Sequence, residues 1–98
     1  MKAPYPTAAP ELCVEIMSRR DTLPKAFEKA DRYIAWGTEW VWIIDPEKRT
    51  AWTLSRQGGA DPVWVSPNGA LQIGETAIGL PQLFAEVDAS LELTGEPE

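Results

Sequence analysis

Residues Glu11-Leu12-Cys13-Val14-Glu15-Ile16-Met17 alternate with a period of two, which predicts a strand. Leu12, Val14 and Ile16 fall on one face. Glu11, Cys13, Glu15 and Met17 fall on the other, so two acids sit on an otherwise apolar row. The period then changes. Ser18 to Thr22 reads as a loop ending in good N-cap residues, Pro24 suits a first helical turn, and Gly37 is a stop signal. The predicted helix runs from Leu23 to Trp36. At 100° per residue, Ala26, Phe27, Ala30, Tyr33 and Ile34 gather in one apolar stripe. Lys25, Lys29 and Arg32 form a basic stripe beside it, with Lys29 at the border of the apolar face, and Glu28 points away.

Trp40-Val41-Trp42-Ile43-Ile44 is a near-continuous apolar run, the pattern of a strand buried on both faces. Asp45-Pro46-Glu47-Lys48 suits a type I turn, after which Thr50 to Leu54 should hairpin back. Pro62 to Val65 predicts a short strand, Leu71 to Ile73 and Ala77-Ile78 predict short extended pieces, and Leu80 to Val87 predicts a short closing helix. The acidic end from Leu91 is expected to fray. The order is β-α-β-β-β-(β)-α. A strand–helix–strand crossover implies that the first two strands are parallel in one sheet, with the later strands as an antiparallel extension. The five tryptophans lie in or beside these strands and are expected to pack in the core.

At 98 residues the chain is one domain at most. No apolar run is long enough to span a bilayer, and the first residues lack the apolar stretch of a signal peptide. The net charge of −6 is unevenly spread. Residues 1–56 hold all nine bases against eight acids, whereas residues 57–98 hold seven acids and no base. An acidic balance disfavours nucleic acid by default, but the first half escapes that objection. The chain has no His and one Cys. Catalytic triads, His-ligated metals, internal disulfides and Cys-based zinc sites are thereby excluded. A lone Cys suits a reducing, cytoplasmic location. Gly74 and Gly79 are spaced as in a phosphate loop, but Leu80-Pro81 follows them, so that loop is absent.

Carboxylates, lysine and a hard metal remain. The crossover lays the helix back over the sheet, which brings Lys29 toward Glu15. A carboxylate and a lysine there can bind a divalent ion and position a water for phosphodiester hydrolysis. Such a site normally takes a second carboxylate. Glu11 lies four strand residues away, about 13 Å, too far to share an ion. Asp21 follows the strand on a loop and is the other candidate. The plain alternative is a surface ion pair between Glu15 and Lys29.

Pro10-Glu11-Leu12-Cys13-Val14-Glu15-Ile16-Met17-Ser18, then Asp21-Thr22, Lys29 with Tyr33, Gly37, Val41 to Pro46 and Arg49-Thr50, resembles the Uma-type restriction endonuclease domain family of the PD-(D/E)XK nuclease superfamily. The segment from Leu71 to Phe84 resembles that family's closing segment. The resemblance spans about residues 10–86 and covers only the C-terminal part of the domain. It implies an α/β fold with a restriction-endonuclease-like mixed sheet: a β-α-β crossover, antiparallel strands and a short C-terminal helix, with the N-terminal part of the core missing. It divides the chain into an extended lead (1–9), a truncated nuclease-like domain (10–88) and an acidic tail (89–98).

The implied activity is magnesium-dependent hydrolysis of DNA. By position, Glu15 matches the acidic metal ligand and Lys29 the family's helix lysine. Met17 stands where the superfamily usually has its lysine, and Glu11 stands where this family has Asp. Family members are about twice this length, and their other metal-binding Asp lies upstream of the Glu15 position. No Asp precedes Glu15 here. The resemblance therefore implies a fragment, a shortened descendant without the metal site, or a site completed by a second chain.

Two function classes follow. One is a Mg2+-dependent endonuclease domain, incomplete or inactive as this chain, using Glu15 and Lys29, with Arg19, Arg20, Lys25 and Arg32 contacting DNA. The other is a catalytically silent α/β module that binds a protein partner or itself. A shortened domain exposes apolar surface or an unpaired strand edge, so a homodimer is expected. No organic cofactor and no membrane association are expected.

Overall fold

The computed structural model describes residues 8–93. Its elements, in chain order, are β1 (Leu12–Ile16), α1 (Leu23–Trp36), β2 (Trp40–Asp45), β3 (Thr50–Ser55), β4 (Val63–Val65), β5 (Ala70–Ile73), β6 (Thr76–Gly79) and α2 (Leu80–Leu93). A four-stranded sheet has the order β1-β2-β3-β4. β1 is parallel to β2, and β3 and β4 continue antiparallel, as the crossover required.

Helix α1 begins and ends where its capping residues predict. The Thr22 hydroxyl accepts from the Lys25 amide at 3.5 Å. Gly37 closes the helix at φ 130°, a conformation that favours glycine, and its amide donates to the carbonyls of Ile34 and Tyr33. The apolar stripe then has one place to go. Ala26 and Ala30 bury against Val41, Ile43 and Leu54, with Cys13, Met17, Phe27, Tyr33, Ile34 and Trp52 packed around them. Small residues at 26 and 30 let the helix lie close to the sheet, and this sets the height of Lys29 above β1. Phe27 meets Trp52 edge-to-face at 5.3 Å.

The other face of the sheet holds a second core of Trp42, Ile44, Ala51, Val65, Leu71, Leu80 and Phe84. Alternation along β2 sends Val41 and Ile43 to α1, and Trp42 and Ile44 to this second layer. The Trp42 indole donates to the Gln72 carbonyl at 2.9 Å, which ties the sheet to β5. At the β2–β3 turn, Asp45 accepts from the amides of Glu47 and Lys48. Arg49 leaves that turn at φ 59°, lies 4.7 Å above the Phe84 ring and donates to Asp88 at 3.2 Å. These contacts fasten the turn to α2.

Several expectations change. β5 and β6 form their own two-stranded sheet rather than extending the main one. Helix α2 is not short: it has 14 residues and runs to Leu93, past the point at which an acidic tail was expected to begin. The apolar spacing of Leu80, Leu83, Phe84 and Val87 continues to Leu91, four residues after Val87, and helix formers such as Ala89 and Glu92 lie between. Trp42 is buried, whereas Trp36 and Trp64 are about half exposed, so the tryptophans are not all core. Trp36 ends α1, and Trp64 lies on the three-residue edge strand β4, where one side has no covering layer. The lead falls largely outside the described residues. Ala8 and Ala9 within it have no regular structure.

Candidate active site

The alternation of β1 aims Cys13, Glu15 and Met17 at the α1 side. Cys13 and Met17 join the apolar cluster there, and the Cys13 thiol lies 3.7 Å from the hydroxyl of fully buried Thr38. Glu15 extends to the margin of that cluster, where α1 presents Lys29. The Lys29 ammonium donates to Glu15 Oε2 at 2.9 Å. The Glu15 side chain is only 20% exposed and Lys29 is 45% exposed, so the pair is half sheltered. The two positions singled out from spacing are thus in direct contact.

The hydrogen bond from Lys29 to Glu15, together with the carboxylate charge, raises the Lys29 pKa above its usual 10.5. Lys29 is therefore an ammonium at neutral pH. It can hold an anion or orient a water, but it cannot accept a proton while paired to Glu15.

A small cavity of about 110 Å³ opens beside the pair, lined by Glu15, Met17, Asp21, Thr22, Lys25, Ala26 and Lys29. Asp21 thus reaches the same cavity as Glu15. Its Oδ2 accepts from the Ser18 amide at 2.7 Å and from the Ser18 hydroxyl at 3.1 Å. These bonds fold the β1–α1 loop back on itself and hold the Asp21 carboxyl below its usual pKa of 3.8. Ser18 three residues before Asp21 was the sequence signal for that closed loop. A wider cleft of about 630 Å³ lies alongside, between the β1–α1 loop and the β2–β3 turn at the carboxyl ends of β1 and β2. Arg19 and Glu47 face each other across it at 3.7 Å, both largely exposed.

The remaining sequence-derived residues separate. Glu11 is exposed at the start of β1 and is not a lining residue of the cavity. Met17 packs under α1 and supplies no charge at the position where a lysine would stand. Arg20, Lys25 and Arg32 are exposed, and Lys25 also lines the Glu15 cavity. Periodicity alone did not show that Leu83, Phe84 and Val87 of α2 come beside Val14 and Ile16 of β1, where they form a wholly apolar groove.

Among the described residues, no three His, Cys, Asp or Glu side chains gather as a metal-ligand group. What the cavity offers is one sheltered carboxylate, a second carboxylate on its wall, and two lysines. In chemistry this donor set fits a hard, water-rich ion such as Mg2+, which commonly takes one or two protein carboxylates and keeps several waters. It does not fit zinc, copper or a cluster, for which imidazole or several thiolates are needed.

No curated protein matches the chain. Among solved structures, one described as "a putative nuclease belonging to DUF820 from Anabaena variabilis" shares the fold, with a TM-score of 0.66 and 22% identity. The match covers 80% of this chain and 45% of that one, so the chain spans less than half the length of that relative. The restriction-endonuclease-like mixed sheet expected from the sequence is thereby supported by an independent fold. Residues 2–90 match the family model Uma2, described as "Putative restriction endonuclease", and the chain belongs to that family of nuclease-like domains.

Proposed function

We propose that this chain carries the catalytic-edge half of a Mg2+-dependent DNA endonuclease. Glu15 is its metal ligand and Lys29 its phosphate- or water-orienting cation. The observation that carries this reading is the 2.9 Å contact between Glu15 and Lys29 beside a cavity that Asp21 also lines. A bound divalent ion would lower the pKa of a coordinated water and offset charge on the reacting phosphate. Glu15 and Asp21, which line the same cavity, would supply the carboxylates that hold such an ion. Lys29, fixed as an ammonium, would release Glu15 and turn to a non-bridging phosphate oxygen. Met17 and Ala26 form an apolar part of the cavity wall.

DNA would approach over the wide cleft and the solvent side of α1. Lys25, Lys29 and Arg32 recur at helical spacing and span about 10 Å of α1, while Arg19 and Arg20 extend the positive surface onto the loop. Among the described residues, those from 57 onward form β4, β5, β6 and α2, and none of them lines the Glu15 cavity. No helix among the described residues is long and apolar enough to cross a membrane. The single Cys together with a DNA substrate is best accommodated in the cytoplasm.

The test is nicking of supercoiled plasmid by the purified chain at millimolar Mg2+ or Mn2+. Activity that chelator, Glu15→Gln and Lys29→Ala each abolish supports the reading. Folded chain with no nicking in either metal, or nicking retained by Glu15→Gln, overturns it for this chain.

A further inference from the structure

Asn68 is the only asparagine in the chain, and a glycine follows it. Ser66, Pro67, Asn68 and Gly69 make the turn between β4 and β5, and the Gly69 amide donates to the Ser66 carbonyl at 2.8 Å. Pro67 presets the second position, and Asn68 keeps a negative φ at the third, as in a type I turn. Asn68 is exposed, but the chain on either side of the turn leads straight into the core. Val65 before it and Leu71 after it are buried in the layer that also holds Leu80. The Gly69 carbonyl accepts from the Leu80 amide at 2.8 Å, which seats the first residue of α2.

Glycine is required at 69 by space rather than by a positive φ. A Cβ there would stand 2.8 Å from Cγ1 of Val65 and 3.2 Å from the Ser66 carbonyl oxygen. The packing of the turn thereby fixes, directly after Asn68, the one residue type with no side chain to shield its main-chain nitrogen.

We propose that Asn68 is a site of spontaneous deamidation, and that its isoaspartate product unfastens the β4–β5 turn from α2. The Gly69 main-chain nitrogen gives up its proton to hydroxide and attacks the side-chain carbonyl carbon of Asn68. A bond forms between them, the bond from that carbon to Nδ2 breaks, and ammonia leaves with a proton returned from water. The product is a cyclic imide. Water then opens it, at the side-chain carbonyl to give aspartate or at the main-chain carbonyl to give isoaspartate. The sum consumes one water and releases one ammonia, and it needs no oxidant, metal or enzyme. The native turn restrains the first step, because the attacking nitrogen is engaged with the Ser66 carbonyl and is freed only when the turn opens. The isoaspartate product then bars the way back. It adds a methylene to the main chain between residues 68 and 69, so the amide and carbonyl of Gly69 no longer reach Ser66 and Leu80 together. Its free carboxylate also adds one negative charge to a chain already at −6. The site does not depend on the nuclease reading.

Ageing the intact chain at mildly alkaline pH tests this. Mass spectrometry should show an amide-to-acid exchange at residue 68, with isoaspartate placed there by peptide mapping and a more acidic form on isoelectric focusing. The same chain held in urea should convert faster, because its turn is open. Pro67→Ala should speed conversion of the folded chain about two- to five-fold, by loosening the turn, and should leave the rate in urea unchanged. The isoaspartate form should melt roughly 4–8 °C lower, the shift expected for about one lost main-chain hydrogen bond in a domain of this size. Asn68→Ser, which keeps a turn-forming residue, should hold both its mass and its Tm on ageing. A folded chain that keeps Asn68 intact long after the urea-held chain has converted overturns the proposal. So does an isoaspartate form with an unchanged Tm, equal rates for folded wild type and Pro67→Ala, or an Asn68→Ser chain that loses Tm as fast as wild type.

Discussion

Substituting Ala30→Leu tests whether packing under α1 sets the site. Ala30 is 1% exposed and faces Val41, Ile43 and Leu54, two of them fully buried and the third nearly so. Three added carbons have no cavity to enter there. Overpacking of this kind costs about 1–3 kcal/mol, by forcing poor rotamers or lifting the helix. For a domain of this size, about 2 kcal/mol lowers Tm by roughly 8–16 °C. Lifting the helix also raises Lys29 from Glu15. Their 2.9 Å hydrogen bond loses its geometry with a displacement of under about 1 Å. Ala35→Leu is the control, because Ala35 is exposed on the same helix and the change there should stay within about 0.5 kcal/mol. Thermal unfolding followed by circular dichroism reads both variants. Equal Tm values for the two would show that α1 does not rest on the sheet through Ala30, and the account of how Lys29 is positioned would fail with it.

Three further outcomes follow from the same structure. Trp42→Phe removes the indole donor to Gln72 and leaves a gap between the sheet and the β5–β6 hairpin, at a cost of about 2–4 kcal/mol in denaturant titration. The raised pKa of Lys29 means that its pairing stabilises the fold fully below about pH 10.5 and loses that contribution as pH rises through the higher folded value. The stability gap between wild type and Lys29→Met should be constant at neutral pH and close in strong alkali. Asp21 is held below 3.8, so its contribution is present above that value and lost as pH falls through the lower folded one. Asp21→Asn should therefore flatten the acid limb of the stability curve below about pH 4, and an unchanged limb would show that the Ser18 bonds do not persist in solution.

Local chemistry made much of this legible in the sequence. Thr22, Pro24 and Gly37 fixed both ends of α1 to the residue, because caps act through atoms one turn away. The two-sided burial of β2 followed from an unbroken apolar run. The contact of Glu15 with Lys29 was legible because a crossover leaves a helix only one face of the sheet to cover. Long-range placement was not legible in the same way. Nothing in residues 70–79 indicates whether that hairpin joins the main sheet or stands apart. What decides it is Leu71 filling the layer beneath Trp42, a contact made across 29 residues. The length of α2 was also missed, although Leu91 continues the stripe of Leu80, Phe84 and Val87 at helical spacing; the acids Asp88 and Glu92 around it read as a tail. The apolar groove beside β1 needed two distant segments, one strand and one helix, and each alone resembled an ordinary buried face.

The proposed role of Glu15 as a ligand for a hard divalent ion competes with a plain surface ion pair to Lys29. Isothermal titration calorimetry of the chain with Mn2+ and with Mg2+, alongside Glu15→Gln, measures that most directly. If Glu15 is a ligand, binding is saturable in the millimolar range or tighter and is abolished in Glu15→Gln with the fold intact. Absence of binding at millimolar metal, or unchanged binding in Glu15→Gln, would contradict it.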